Sequence, residues 1–274
     1  MKKRLIMILL LIGIISSLSA AIKPFVETEQ GLIAVLFHTY QNGTSGTDFD
    51  FRSQGGQDVL YPFERYTVGV EIADVHRIWL TYQPLRLDTS VAFRDNVTIG
   101  TQTFATNTPM NLTYSFPFYR ISYTYDILAK YPQAVLGVGV VMQIRNASIV
   151  FEQVDGAKQY VSQNVGFVPA LAVYARYEFP FGLVLSADIA GSYAKSAWFN
   201  GAGFEFEGSV LDASLRMGYL VQNDLELFGN LRFFGGTAEG TSTDPASTWT
   251  EPTDRFTKNN IATLAVSVGV NKAW

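Results

Sequence analysis

Leu211-Asp212-Ala213-Ser214-Leu215-Arg216-Met217-Gly218-Tyr219 alternates residue by residue, with leucine, alanine, methionine and tyrosine on one side and aspartate, serine, arginine and glycine on the other. Successive side chains of an extended strand point to opposite faces, whereas a helical stripe returns about every 3.6 residues, so this stretch reads as a strand with two unlike faces. The pattern spreads in both directions. Leu183, Leu185, Ala187 and Ile189 oppose Val184, Ser186, Asp188 and Ala190. Leu225, Leu227, Leu231 and Phe233 oppose Glu226, Phe228, Asn230 and Arg232, and Leu264, Val266, Val268 and Val270 oppose Ala265, Ser267, Gly269 and Asn271. Upstream, Val165, Phe167, Leu171, Val173 and Tyr177 share a face, as do Leu136, Val138, Val140, Met142 and Ile144, and Tyr66, Val68, Val70 and Ile72.

Turn residues separate these blocks, and ten strands are expected: 31–52, 63–73, 77–94, 111–127, 134–154, 159–179, 182–199, 203–221, 225–240 and 256–274. Short links at 73–76, 128–133, 180–181 and 222–224 interleave with mostly longer polar ones such as 94–110 and 241–255. In two places the apolar parity switches. Leu112, Tyr114, Phe116 and Phe118 are even while Tyr119, Ile121, Tyr123 and Tyr125 are odd, and Tyr82 gives way to Leu85 and Leu87 near Pro84. A β-bulge at Pro117 and a bend shared with Pro84 are the expectation, since proline cannot donate to a ladder. The first strand, around Leu32 to Tyr40, has no clear parity.

Alternation alone fits a soluble barrel as well as a membrane one. The polar face separates them: mid-strand it carries Gly, Ala, Ser and Thr with scattered Arg and Asp, whereas a water-facing surface would be rich in Lys and Glu. Aromatics bound the apolar face, with Tyr125, Tyr177, Phe179, Tyr219 and Trp274 near the short-turn rim and Phe118, Phe167, Tyr193 and Phe233 further up, as at bilayer interfaces. Hydrocarbon offers no water to an open sheet edge, so the sheet must close. The fold expected is an all-β, closed, antiparallel up-and-down transmembrane barrel, of ten strands with eight or twelve as alternatives.

Residues 1–21 begin Met1-Lys2-Lys3-Arg4, run apolar through 5–15 and end in small residues before Lys23 and Pro24, the layout of a secretory signal peptide. That leaves 22–274 for the barrel, placed in the outer membrane after export through the periplasm. At 48% hydrophobic and only 16% charged, against a usual quarter, the chain is not a disordered one. It contains no cysteine, which removes disulfides, thiolate metal sites and thiol nucleophiles. A net charge of −4 disfavours nucleic acid as a partner. The expected partners are the lipid bilayer and outer-leaflet glycolipid, together with small solutes or an extracellular ligand.

The closing segment from Leu264 to Trp274, with its alternation and terminal aromatic, and the segments Phe118 to Asp126 and Leu211 to Tyr219 resemble the porin-like β-barrel proteins of the Gram-negative outer membrane. Lys272 departs from that pattern, close enough to the rim to snorkel. The resemblance implies a location and a fold, and it carries no catalytic motif and no cofactor.

Parity puts Glu71, Arg120, Arg145, Arg176, Asp188, Asp212, Arg216 and Arg232 in the lumen, with Asp126, Glu178 and Glu226 near the periplasmic end. Charges of both signs can pair or meet water there, whereas facing lipid at the midplane would cost about 2 to 4 kcal/mol for a cation. Such a ladder either lines a narrow aqueous path or forms a salt-bridged plug, and a barrel of this size is little wider than one that side chains fill. The function expected is a small porin-like channel or a structural envelope protein. The alternative is a protease-like surface enzyme, with Asp48 and Asp50 beside His38 imitating the acidic residues and histidine of ten-stranded outer-membrane proteases, or an adhesin using the polar loops. His38 and His76 lack zinc-site spacing, and no metal site is expected.

Overall fold

In the computed structural model, which describes residues 22–195, 205–222, 224–241 and 256–274, the chain is all strand and turn. The leader expected over 1–21 and nearly all of the loop expected over 241–255 lie outside those residues. The strands are β1 (Ile22–Asn42), β2 (Phe49–Asp50), β3 (Leu60–Ile72), β4 (His76–Gln83), β5 (Arg86–Ala92), β6 (Val97–Ile99), β7 (Gln102–Phe104), β8 (Pro109–Ser115), β9 (Phe118–Asp126), β10 (Ala134–Gln153), β11 (Gln159–Glu178), β12 (Leu183–Lys195), β13 (Glu205–Gln222), β14 (Leu225–Thr241) and β15 (Phe256–Ala273).

Among the described residues, β4 with β5 and β8 with β9 are each one interrupted wall strand, and the wall is a closed antiparallel barrel of ten strands. The first and last strands seal it, from Phe25 opposite Ala273 to Asn42 opposite Thr257. At the short-turn rim Ala73 and Asp74 take φ of 56° and 57°, the paired left-handed positions of a tight hairpin. The opposite rim carries the longer connections, and two of them fold back over the mouth. One is residues 43–59, which include β2. The other is residues 93–108, whose β6–β7 hairpin is held by hydrogen bonds from Thr47 N–H to Thr98 O at 2.7 Å and from Gly100 N–H to Asn42 O at 3.0 Å.

The expected bulge at Pro117 is absent. Gln83 pairs with Phe118 below the interruption and Arg86 with Ser115 above it, which is one unbroken register. The β10 partners behave the same way, with Arg145 opposite Phe118 and Ser148 opposite Ser115. Where a shared bend is expected, both strands are interrupted at one level: residues 84–85 and 116–117 face each other across the ladder, bridged by Phe116 N–H to Leu85 O at 2.7 Å. Even-numbered residues point inward both above and below it, for Tyr114 and Phe116 are buried and so are Arg120, Ser122 and Thr124. What changes at the prolines is the chemistry of the interior, polar below and apolar above. Phe118, expected in the outer aromatic girdle, therefore lies wholly inside.

A true irregularity sits in β1, between Val35 and Phe37. It leaves Leu36 and Phe37 both exposed on the outside, and this is why that strand shows no parity in the sequence. Above the break β3 and β5 part company, since the β3–β4 ladder ends at Tyr66 opposite Tyr82. Residues 43–59 contribute Phe49 and Phe51 to the space inside. With Tyr40, Phe93, Phe104, Met110, Tyr114 and Phe151 they form a fully buried aromatic core in the upper lumen. Each such side chain contributes about 1.5 to 3 kcal/mol of burial.

Candidate functional site

Below the aromatic core the lumen is crossed by charge. Asp212 on β13 accepts hydrogen bonds from Arg232 Nη1 on β14 at 2.6 Å, from Arg120 Nη1 on β9 at 2.6 Å and from Arg65 Nη1 on β3 at 3.2 Å. All four side chains are buried, and they come from opposite parts of the wall. The excess positive charge is met by Glu29, 3.9 Å from Arg232, and by Asp188, 3.9 Å from Arg65. Polar neighbours occupy further donors and acceptors: Gln143 Oε1 accepts from Arg120 Nε and Nη2 at 3.0 and 2.7 Å, Gln83 Oε1 accepts from Arg65 at 2.8 Å, and Glu29 accepts from Asn230 and Ser267. A buried ion pair repays its desolvation only when the geometry is good and the remaining lone pairs are satisfied. The Asp212 carboxylate meets that condition, whereas Glu29 Oε2, Arg232 Nε and the second amide atoms of Gln83, Gln143 and Asn230 are buried without a hydrogen-bond partner.

A second layer lies nearer the short-turn rim. Arg216 makes a two-pronged pair with Glu27 at 2.6 and 2.7 Å, and its guanidinium stacks 3.7 Å from the centre of the Phe228 ring. Arg77 pairs with Glu71 and lies over Phe25 and Tyr174, at 4.1 and 4.5 Å. Arg176 pairs with Glu226 and Glu178. Asp126 does something different, stapling the adjoining turn by accepting the N–H groups of Leu128 and Leu136. Between the layers, Arg65, Arg77, Tyr174, Asp188 and Arg216 enclose a cavity of about 30 Å³, room for roughly one water.

Of the residues singled out in the sequence, Arg120, Asp188, Asp212 and Arg232 therefore join the upper ionic cluster, while Arg216, Arg176 and Glu71 belong to the lower layer. Arg145 stands apart, half-buried beside the Phe116 ring at 5.4 Å. Four participants went unnamed: Glu27, Glu29, Arg65 and Arg77. Arg65 was available to the parity argument, because it lies in step with Thr67, Gly69 and Glu71. Glu27 and Glu29 precede the first strand expected, 31–52, whereas β1 runs from Ile22 to Asn42.

The histidine and the two aspartates do not form a constellation. His38 is fully buried in the upper core, its Nδ1 2.7 Å from Gln57 Oε1, its ring stacked on Phe51 at 4.3 Å and edge-on to Tyr114 at 4.4 Å. Asp50 instead closes its own turn by accepting the N–H groups of Arg52 and Ser53, and Asp48 pairs with Lys258 at 3.1 Å. His76 is at the other end of the barrel, 3.0 Å from the Tyr123 hydroxyl. Among the described residues no group of three His, Cys, Asp or Glu side chains is arranged to hold a metal ion.

The chain is similar in structure to the outer membrane protease OmpT from Escherichia coli, with 8% sequence identity and a TM-score of 0.58 over 92% of this chain and 97% of that one. A FadL homologue from Pseudomonas aeruginosa aligns at 9% identity and a TM-score of 0.36, covering 93% of this chain and 90% of that one. A deltaS2S3 mutant of TodX, a monoaromatic hydrocarbon channel, aligns at 10% identity and a TM-score of 0.32, covering 91% and 90%. The first likeness establishes a shared outer-membrane barrel fold, and the weaker two add nothing to it. No family model and no curated protein matches the sequence.

Proposed function

We propose that the chain is an integral outer-membrane barrel with a structural role in the envelope, its lumen closed to solutes. The observation that carries this reading is the carboxylate of Asp212, shared by three arginines drawn from both sides of the wall. That cluster fills the waist, and the aromatic core with its folded-in loops fills the space above. The bilayer setting is supported by the outer surface. Val68, Leu80, Ile121, Val140, Leu171, Leu185, Leu215, Leu231 and Val268 are all exposed there, a band far more apolar than a water-soluble monomer tolerates. At its lower edge stand Tyr125, Tyr177, Tyr219 and Trp274, also exposed. The leader-like residues 1–21 fit export to that membrane.

A diffusion channel would require both interior layers to move aside. A surface protease would require His38 to face an acidic pair, whereas its Nδ1 faces Gln57. The test is electrical: the purified protein, reconstituted in a planar bilayer, is expected to give no discrete conductance steps. Stable unitary currents from the unmodified protein would overturn the closed-lumen reading.

A further inference from the structure

Among the described residues the wall parts between β11 and β12. The ladder between β11 and β12 stops at Leu171 opposite Gly191, although both strands continue beyond that level. Above it β12 stays on β13, with Ala194 opposite Gly208, and β11 stays on β10, with Val168 opposite Gln143. Pro169, which has no N–H to offer, lies where the two strands separate. A cavity of about 250 Å³ leads inward from this gap, bounded by Pro169 and Ala194 at the wall and by Phe116, Phe234 and Ile261 within. Val165 and Phe167 flank the gap on the outer surface, both strongly exposed. The mouth thus faces the apolar exterior.

The lining is largely apolar but also includes Gln143, Asn259 and Lys195, the last paired with Glu207, and two further polar groups stand out. Arg145 lines the cavity, its guanidinium over the face of Phe116. Among the described residues it has no carboxylate partner, whereas Arg65, Arg77, Arg120, Arg176, Arg216 and Arg232 each have one. Gly166, directly opposite on β11, leaves room for its guanidinium: a Cβ there would lie 2.8 Å from Arg145 Nε. Tyr114 also lines the cavity, fully buried, and its hydroxyl faces Asn259 without making a hydrogen bond of normal geometry. A half-buried cation without a carboxylate suits an anion, and a buried hydroxyl with no hydrogen bond of normal geometry can add a donor to it.

We propose that this lateral cavity binds a single-chain anionic amphiphile, a free fatty carboxylate, taken from the bilayer through the β11–β12 gap. Arg145 and Tyr114 donate to the carboxylate, and the chain lies along the apolar wall toward Pro169 and Val165. At about 250 Å³ the cavity lies below the usual range of roughly 300 to 1,000 Å³ for small-molecule sites, so it takes the carboxylate end of one chain while the rest extends out through the gap. This inference does not depend on whether the lumen conducts.

The test is native mass spectrometry of the detergent-solubilised barrel titrated with palmitate, with hexadecanol and with dipalmitoyl phosphatidate. The expected result is one saturable palmitate adduct, with hexadecanol bound at least about tenfold more weakly because it cannot take a charge-assisted hydrogen bond. Arg145→Gln is expected to weaken palmitate about tenfold or more and to leave hexadecanol unchanged, and Tyr114→Phe to weaken palmitate by a smaller factor. Ala194→Phe, which fills the mouth without touching the cation, is expected to abolish the adduct. Heat-shifted gel mobility checks that each variant remains a folded barrel. Equal binding of palmitate and hexadecanol, indifference to both Arg145→Gln and Ala194→Phe, or phosphatidate bound as tightly as palmitate would overturn the proposal.

Discussion

Two halves of one wall strand show how the surroundings dictate residue choice. In β9 the inward side chains are Arg120, Ser122, Thr124 and Asp126, and the outward ones are Tyr119, Ile121, Tyr123 and Tyr125. In β8 the order is inverted: Met110, Leu112 and Tyr114 point inward, while Asn111, Thr113 and Ser115 point outward. The backbone register is the same throughout. Below Pro117 the exterior is greasy and the interior must absorb the polar residues. Above it the exterior is polar and the interior becomes an ordinary hydrophobic core. The molecule is a lipid-facing ring topped by a water-facing β-structure, built on continuous strands.

The contrast can be broken from either end. Removing the shared anion with Asp212→Ala leaves three buried guanidiniums around a missing partner, and a loss of about 3 to 5 kcal/mol is expected in urea-induced unfolding from micelles. Phe151→Ala removes a fully buried ring from the upper core, with an expected loss of about 3 to 5 kcal/mol in the same assay. A much smaller loss from Phe151→Ala would mean that the upper half contributes little to the fold. On the outer surface the two halves should respond differently. Leu215→Arg, in the greasy band, is expected to cost about 2 to 4 kcal/mol in bilayers, whereas Ser90→Arg, exposed on β5, should stay within about 0.5 kcal/mol. Similar costs at the two sites would erase the boundary drawn at the prolines.

The smallest effect concerns pH. Asp88, on the outer face of β5, accepts hydrogen bonds from Arg86 Nε and Thr113 Oγ1, both at 2.6 Å. Partial burial works to raise its carboxyl, but those bonds outweigh it and hold the group below its ordinary value of 3.8. A carboxylate depressed in the folded state adds stability above its unfolded pKa, and that stability is lost as pH falls through the folded one. Asp88→Asn is expected to flatten a slight decline in stability below about pH 4 and to leave the neutral range nearly unchanged. An unaltered acid limb would show that the exposed pair is energetically silent.

Much of this is legible in the sequence, because period-two alternation reports facing directly. Leu211 to Tyr219 named its own lumen and lipid faces, and the prolines marked the level of the break. At Pro117 a bulge and an exchange of inside for outside leave the same trace in the sequence. Only the pairing of Gln83 with Phe118 and of Arg86 with Ser115 tells them apart. Glu27 and Glu29 escape the sequence reading because β1 begins at Ile22, nine residues before the strand expected from residue 31, while the real bulge, at Leu36 and Phe37, blurs only the parity beyond them. That Arg120 meets Asp212 was out of reach for another reason. Alternation says which way a side chain points, but not the height at which it meets a strand across the barrel, which depends on tilt and stagger.

The Asp212 cluster also constrains how the chain can be assembled. Arg65 and Arg120 are made early in the sequence, and their common carboxylate arrives some ninety to a hundred and fifty residues later. A sheet halted after β9 would hold both guanidiniums without that counter-charge, in a setting where an unpaired cation is costly. Partial sheets are thus poor membrane residents, and insertion and ring closure are pressed into a single event.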